Sequence, residues 1–338
     1  MIPYRIRSTL RSIFITALVL LLIAAGILLC WLLWLNRYVL YTRDGALLDF
    51  DLSMEFPQGQ LAEPPAPGET IDIYYNEGAN VITPESTELA QLGGFYASGT
   101  MLAENFDAVE AALKSVPAGT PVLLDVKNFR GEFYYTTNLG QSATSVDTAR
   151  MDDLISYLQQ TDHYLIARVP ALRDFWFGLN NVENGIFNPN RWSLWMDADR
   201  CYWLNPLADG TLTYLIQIAT ELRLMGFDEV VFTDFAIPDT QNIYFPDDRV
   251  AAINDTAAKL VSVCSTDSFA VSFSNNADTF VLPEGRSRLY LENVAAAQAA
   301  GIAQQTGIAD PEIRLVFLTD LMDTRFDSYG AMRPVKID

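Results

Sequence analysis

Three carboxylates close apolar runs in this 338-residue chain: Asp125 in "TPVLLDVKN", Asp234 in "FDEVVFTDF" and Glu292 in "SRLYLENV". An acid at the exit of a buried strand either caps the next helix or faces a site. Two such acids on one rim have what glycosidic cleavage requires, since one carboxyl protonates the leaving oxygen and a second acts as nucleophile or activates water. Asp234 leads this set, with Asp125 or Glu292 as its partner. Lys127, Asn128, Tyr135, Arg168, Trp203 and Asn205 are the polar and aromatic residues placed to bind substrate around them. Asp320 ends a further strand and reads more readily as a cap.

The elements that must position these residues alternate between short apolar runs and amphipathic segments. "GGFYASG" precedes "LAENFDAVEAALKSV"; "TPVLLDVKN" precedes "ARMDDLISYLQQ"; "HYLIARVPAL" leads through a long insert to "GTLTYLIQIATELRLMG". "FDEVVFTDF", "SFAVSFSN", "SRLYLENV" and "EIRLVFLTD" complete seven strand candidates. Near-continuous apolar strands separated by helices predict a parallel sheet covered on both faces. That many units in one domain predict an α/β fold of the (β/α)8 TIM-barrel type, with chemistry at the carboxyl ends of the strands. The eighth strand comes either from "IDIYYNE" or from the last residues.

Composition narrows the function classes. Acidic residues number 42 against 22 basic ones, a formal net charge of -20, and no basic cluster offsets it, which excludes nucleic acid as a partner. One histidine and three scattered cysteines give neither a multi-histidine zinc centre nor a cysteine metal cluster, so no metal is expected. No G-x-G-x-x-G follows the first strand and no P-loop is present, so no cofactor is expected.

Residues 13–35 read "IFITALVLLLIAAGILLCWLLWL" without a charge, long enough to cross a bilayer as a single transmembrane helix. The run is too long for the apolar core of a cleaved signal peptide. Arg5, Arg7 and Arg11 precede it, predicting a cytoplasmic segment 1–12 and a signal anchor. All acidic residues follow the span, as do all but three of the basic ones. Residues 52–70, rich in Pro, Gly and Glu, read as an extended tether within an extracytoplasmic segment 36–70, and residues 71–338 predict the barrel. The expected location is the cell membrane, and the expected partner is a polysaccharide or cell-wall glycan outside it.

From about Gly93 to Asp248 the chain resembles a bacterial family of glycosyl-hydrolase-type barrel domains whose substrates are mostly undefined. "VLLDVKNFRGEFYY" is similar to its D-V-K-D-D-x-G-x-V-x-Y signature, with Asp125, Val126, Lys127, Gly131 and Tyr135 matching. "YLIARVPALRD" resembles its Y-x-I-A-R-I-V-x-F-K-D stretch through Tyr164, Ile166, Ala167, Arg168 and Asp174. "YWLNPLADGTLTYLIQIATELRLMGFDEVVF" resembles its W-V-D-P, helix and G-F-D-E-I-Q-F passage. The resemblance implies a glycosidase-type barrel. At strand four the family reads F-D-Y-I-R-F-P, whereas Phe232 to Pro238 reads "FTDFAIP", so Thr233 stands at the aspartate and Ala236 at the arginine. Asn128 replaces an acid. Moving an acid by one residue turns it to the opposite face of a strand unless a bulge re-aims it. Two functions therefore follow: a membrane-anchored glycoside hydrolase, or a catalytically degenerate barrel that binds glycan or organises envelope proteins.

Overall fold

The computed structural model describes residues 88–337, together with the backbone of two short strands nearer the amino terminus. The chain divides into two compact units, Met1–Ile71 and Asp72–Asp338. In the first, Val39–Thr42 pairs antiparallel with Gly45–Leu48. The expected transmembrane run 13–35 and the strand candidate "IDIYYNE" lie outside the described residues. No helix among the described residues is long and apolar enough to cross a membrane.

In the second unit eight parallel strands close into a barrel. They are β1 (Gly93–Ala97), β2 (Val122–Asp125), β3 (Leu165–Pro170), β4 (Glu229–Thr233), β5 (Ala270–Ser274), β6 (Leu289–Glu292), β7 (Leu315–Leu318) and β8 (Gly330–Pro334). Each pairs with its neighbour in chain order, and β8 returns to β1 through Ala331 opposite Gly93. The seven predicted runs all form strands, and the last residues supply the eighth. Gly94 permits the tight β1–β2 approach, because a Cβ there would stand 2.1 Å from the Pro121 carbonyl oxygen.

The period of two sorts each strand into an inner and an outer face. Leu123, Ile166, Val231, Tyr290, Val316 and Met332 form one buried layer inside the barrel. Val122, Leu124, Val230, Phe232, Phe273 and Phe317 belong to the larger core that includes the helices. The helices obey the 3.6-residue period: α1 (Asp209–Leu224) buries Tyr214, Leu215, Ile218, Ala219 and Leu222, and α2 (Arg249–Cys264) buries Ile253, Ala257, Leu260 and Cys264. Asp248 starts α2 by accepting the Ala251 N–H at 2.9 Å. Between β7 and β8 the described chain contains only a 3-10 turn, Thr324–Phe326, where a full unit would place a longer helix.

Polar groups fill the lower interior, at the amino ends of the strands. Glu229 is fully buried and accepts from Ser272 Oγ (2.5 Å), Tyr290 OH (3.0 Å), Tyr164 OH (3.0 Å) and the Arg288 guanidinium. Burial opposes the Arg288 charge, but Glu229 beside it outweighs that and holds the guanidinium above its ordinary value. A buried charge pair costs desolvation, so its several hydrogen bonds are what make it tolerable. It closes the floor beneath the apolar layer.

Candidate active site

At the opposite, carboxyl end the register sets Asp125 directly beside Arg168 across the β2–β3 pair. Their side chains meet in a two-pronged contact, Nε to Oδ1 at 2.5 Å and Nη2 to Oδ2 at 3.0 Å. Oδ2 also accepts the backbone N–H of Gly99 at 2.7 Å, tying the carboxylate to the start of the short helix Gly99–Glu104 that follows β1. The third guanidinium nitrogen, Nη1, reaches Glu292 Oε1 on β6 at 3.2 Å. Ser274 Oγ on β5 donates to the same oxygen at 3.1 Å, and Asn276 Nδ2 holds the Glu292 carbonyl at 2.7 Å.

Arg168 therefore spans the mouth between two carboxylates on strands that are not neighbours. Burial works against its charge, yet Asp125 and Glu292 outweigh it and raise the guanidinium above its ordinary value. The Glu292 side chain is the more open of the two acids, at 32% exposed against 15% for Asp125. Tyr96 of β1 stands in the same field: burial first, then Asp320, Glu292 and Asp125 against Arg168, push its phenol upward. It remains a neutral hydroxyl at neutral pH.

Asp234 follows the last residue of β4. Glu229 and Val231 point into the barrel, and alternation puts Thr233 on that same face. Asp234 itself adopts a left-handed backbone, φ +47°, before Phe235 plunges into the core. Aspartate tolerates this conformation better than most residues, and it breaks the pleat, so strand parity no longer fixes the direction of its carboxyl. Its charge acts on Arg173. Arg173 Nε donates to Asp197 Oδ2 at 2.6 Å, where Trp203 Nε1 also donates at 3.0 Å. Burial tends to raise the Asp197 carboxyl, but Arg173, the Cys201 N–H and Trp203 hold it below the usual carboxylate range.

The remaining expected binding residues occupy other places. Lys127 is enclosed: Nζ pairs with Asp174 Oδ2 at 2.8 Å, both side chains at 0% exposure, and donates to the Pro170 carbonyl at 2.9 Å. Tyr135 is also fully buried, and its hydroxyl donates to Glu221 Oε2 at 2.8 Å. Both lie beneath the surface, between barrel and helices, which corrects the expectation that they contact substrate. Asn128 caps its own loop, Oδ1 accepting from the N–H groups of Arg130 (3.0 Å) and Glu132 (3.1 Å). Asn205 does the same for the Leu207 N–H at 3.0 Å. The structure thus brings Asp125, Arg168 and Glu292 together, buries Trp203 against Asp197, which corrects the expectation that it contacts substrate, and leaves four residues in supporting positions. Tyr96, Arg173 and Asp197 were missed, although Arg173 lies within "YLIARVPALRD" beside a residue that the sequence had singled out. Among the described residues no group of three or more acids, histidines or cysteines could hold a metal ion.

Residues 94–262, half of the chain, match the family described as "Putative glycosyl hydrolase domain". No curated protein matches the sequence. Among solved structures, a hypothetical protein from Ruminiclostridium thermocellum is similar at 20% identity and a TM-score of 0.45, over 53% of this chain and 96% of that one. The glycoside hydrolase domain of PelA from Pseudomonas aeruginosa is similar at 14% identity and 0.44, over 73% and 96%. A GH20 exo-β-N-acetylglucosaminidase from Vibrio harveyi is similar at 7% identity and 0.49, over 68% of this chain but only 42% of that enzyme's length. These likenesses are of fold.

Proposed function

Because this chain belongs to that family of glycosyl hydrolase domains, we propose that it is a membrane-anchored glycoside hydrolase acting on an extracellular or cell-wall polysaccharide. The observation that carries the reading is the convergence of Asp125, Arg168 and Glu292 at the carboxyl mouth of a closed parallel barrel. Asp234, just past β4, and Glu292, the last residue of β6, stand on strands that flank β5, so their backbones are about 10 Å apart. An Asp234 carboxyl turned toward the mouth from that spacing would meet the separations of roughly 5–9.5 Å that glycosidic carboxyls use. Asp234 protonates the leaving oxygen. Glu292, with Arg168 as counter-charge, serves as nucleophile or base. Asp125, both of whose oxygens are engaged, positions Arg168. Tyr96 lines the approach for the sugar, whereas Trp203 is buried in the core and supports Asp197.

The membrane part of the reading rests on the uncharged run 13–35 and the arginines before it. Segment 1–12 is then cytoplasmic, residues 36–70 form the tether, and the barrel works outside the cell. A second reading, a barrel that binds glycan or organises envelope proteins without cutting, is favoured by Thr233 and Ala236 where the resembling family carries acid and arginine. Reducing-end release by the full-length protein on envelope polysaccharides decides between them, with Asp234→Asn and Glu292→Gln beside it. Release that both variants lose supports hydrolysis by this pair. Release that survives Asp234→Asn removes Asp234 from its role, and binding without release supports the second reading.

A further inference from the structure

We infer that Trp192 and Tyr244 form a second glycan-binding platform, outside the mouth and continuous with it. This rests on the polysaccharide reading and adds to it a subsite for a distant part of the same chain. Trp192 is 86% exposed and Tyr244 59%, on loops that leave β3 and β4, both at the carboxyl end of the barrel. They are assembled around Phe187. The Trp192 ring meets the Phe187 ring edge-on, centroids 6.1 Å apart, and the Tyr244 N–H donates to the Phe187 carbonyl at 2.8 Å. Trp192 also holds a left-handed backbone, φ +52°, which a bulky residue adopts only when its surroundings impose it. Asn188 Oδ1 fixes that turn by accepting the Asn190 N–H at 3.0 Å. A large ring is thus displayed on a built support when the same turn could have carried a small polar residue.

The support leads to the mouth. Trp203 bridges to Arg173, the Trp203 carbonyl accepts the Ile186 N–H at 2.7 Å, and Phe187 pairs with Leu194 and bridges to Tyr244. Isolated bridges and one two-stranded pair therefore connect Arg173, three residues past the end of β3, with the segments that carry the exposed rings. The occupant follows from size and surroundings. Two aromatic side chains offer at most roughly 150–250 Å² each, short of the roughly 800 Å² per partner of a stable protein interface. Exposed Asn190, Arg191, Ser193 and Asn242 flank them along the chain and carry hydrogen-bonding groups. A flat apolar face rimmed by polar donors and acceptors fits a pyranose ring, whose axial C–H face is apolar and whose edge carries hydroxyls.

The test is native affinity electrophoresis of the full-length protein in neutral detergent. The gels carry xylan, hydroxyethyl cellulose, glycol chitin or muramidase-solubilised peptidoglycan, beside a polymer-free gel. Wild-type retardation on at least one polymer is expected. It should weaken about tenfold in apparent affinity for Trp192→Ala/Tyr244→Ala, the size of one or two aromatic contacts, and recover in Trp192→Tyr. Both residues are exposed, so an unchanged circular dichroism spectrum is expected for the double variant. No retardation of the wild type on any of the polymers, or equal retardation of wild type and double variant, overturns the platform. So does vesicle co-sedimentation that the double variant loses while polymer binding is unchanged, which assigns the rings to a lipid surface. Reducing-end release from short oligosaccharides, which need only the mouth, reads the hydrolase assignment separately.

Discussion

Asp174→Ala should unfold this protein more readily than any substitution at the mouth. Asp174 is fully buried and does three things at once. Oδ2 pairs with Lys127 Nζ at 2.8 Å and accepts from Tyr214 OH at 3.0 Å, while Oδ1 caps a short helix by accepting the Phe177 N–H at 2.7 Å. Removing it leaves the Lys127 ammonium buried with only the Pro170 carbonyl and the Phe133 and Tyr214 ring faces as company. Breaking a buried pair on one side costs about 3–5 kcal/mol, and the lost cap adds about 1 kcal/mol. The sum is comparable with the whole stability of a domain. Lys127→Met should cost less, about 3 kcal/mol, because the carboxylate keeps its Tyr214 and Phe177 donors. Lys127→Met with Asp174→Asn buries no charge and should recover at least about 2 kcal/mol relative to the sum of the separate changes. Urea unfolding followed by tryptophan fluorescence and circular dichroism measures all of these. Strict additivity in the double variant, or an Asp174→Ala cost below about 1 kcal/mol, would falsify the assignment of this pair as the clamp between the two motifs.

Burial lifts the Asp228 carboxyl to about 6, against a single hydrogen bond from the Leu165 N–H at 2.8 Å. Below about pH 4 folded and unfolded chains both keep that proton; between about 4 and 6 the unfolded chain releases it first, so stability is lost over that window and stays lost above it. Asp228→Asn, whose amide oxygen can still accept from Leu165, should gain about 1–2 kcal/mol at pH 7.5 and nothing at pH 4. Thermal melts at the two pH values check this, and an equal effect at both would count against it. Burial also pushes the thiols of Cys201 and Cys264 up to about 12 and about 11. Iodoacetamide at pH 8 should leave both unmodified in the native protein and label both in urea, as peptide mapping would show. Gly94→Ala should cost at least about 1–3 kcal/mol, since its Cβ would stand 2.1 Å from the Pro121 oxygen; a urea midpoint unchanged from wild type would contradict that packing.

The barrel was legible because its strands are buried on both faces, so "VLLD", "LIARVP", "EVVFT" and "LVFL" stand out as apolar runs between polar connections. The eighth strand, "GAMRP", was not, since a glycine, a proline and no β-branched residue give it no strand signature. It forms because Val316 and Gly93 offer it partners on both sides, a long-range cause that no local window contains. Asp125, Arg168 and Glu292 were legible as strand ends, but their mutual contact was not. It depends on Asp125 and Arg168 sharing a register and on closure of the ring bringing β6 within reach.

That dependence explains why the most recognisable charges divide as they do. In the stretch around Asp125 and Lys127, and in the one around Arg168 and Asp174, the charged residues fall into two crossed pairs. Asp125 meets Arg168 at the mouth, and Lys127 meets Asp174 in an enclosed pocket formed past the ends of the same two strands. Spacing makes the sorting: Asp125 and Lys127 are two apart, but β2 ends at Asp125, so Lys127 already belongs to the loop that follows it, with its ammonium on the Pro170 carbonyl at the end of β3. A sequence pattern can report all four residues without separating a clamp from a site. The separation comes from desolvation, since side chains at 0% exposure cannot meet a sugar, whereas Glu292, opened at the end of β6 beside Arg168, can. The residues worth testing for chemistry are those whose charge is held by protein on one side and offered to solvent on the other. By that criterion Glu292 ranks above Asp125, both of whose oxygens are already engaged.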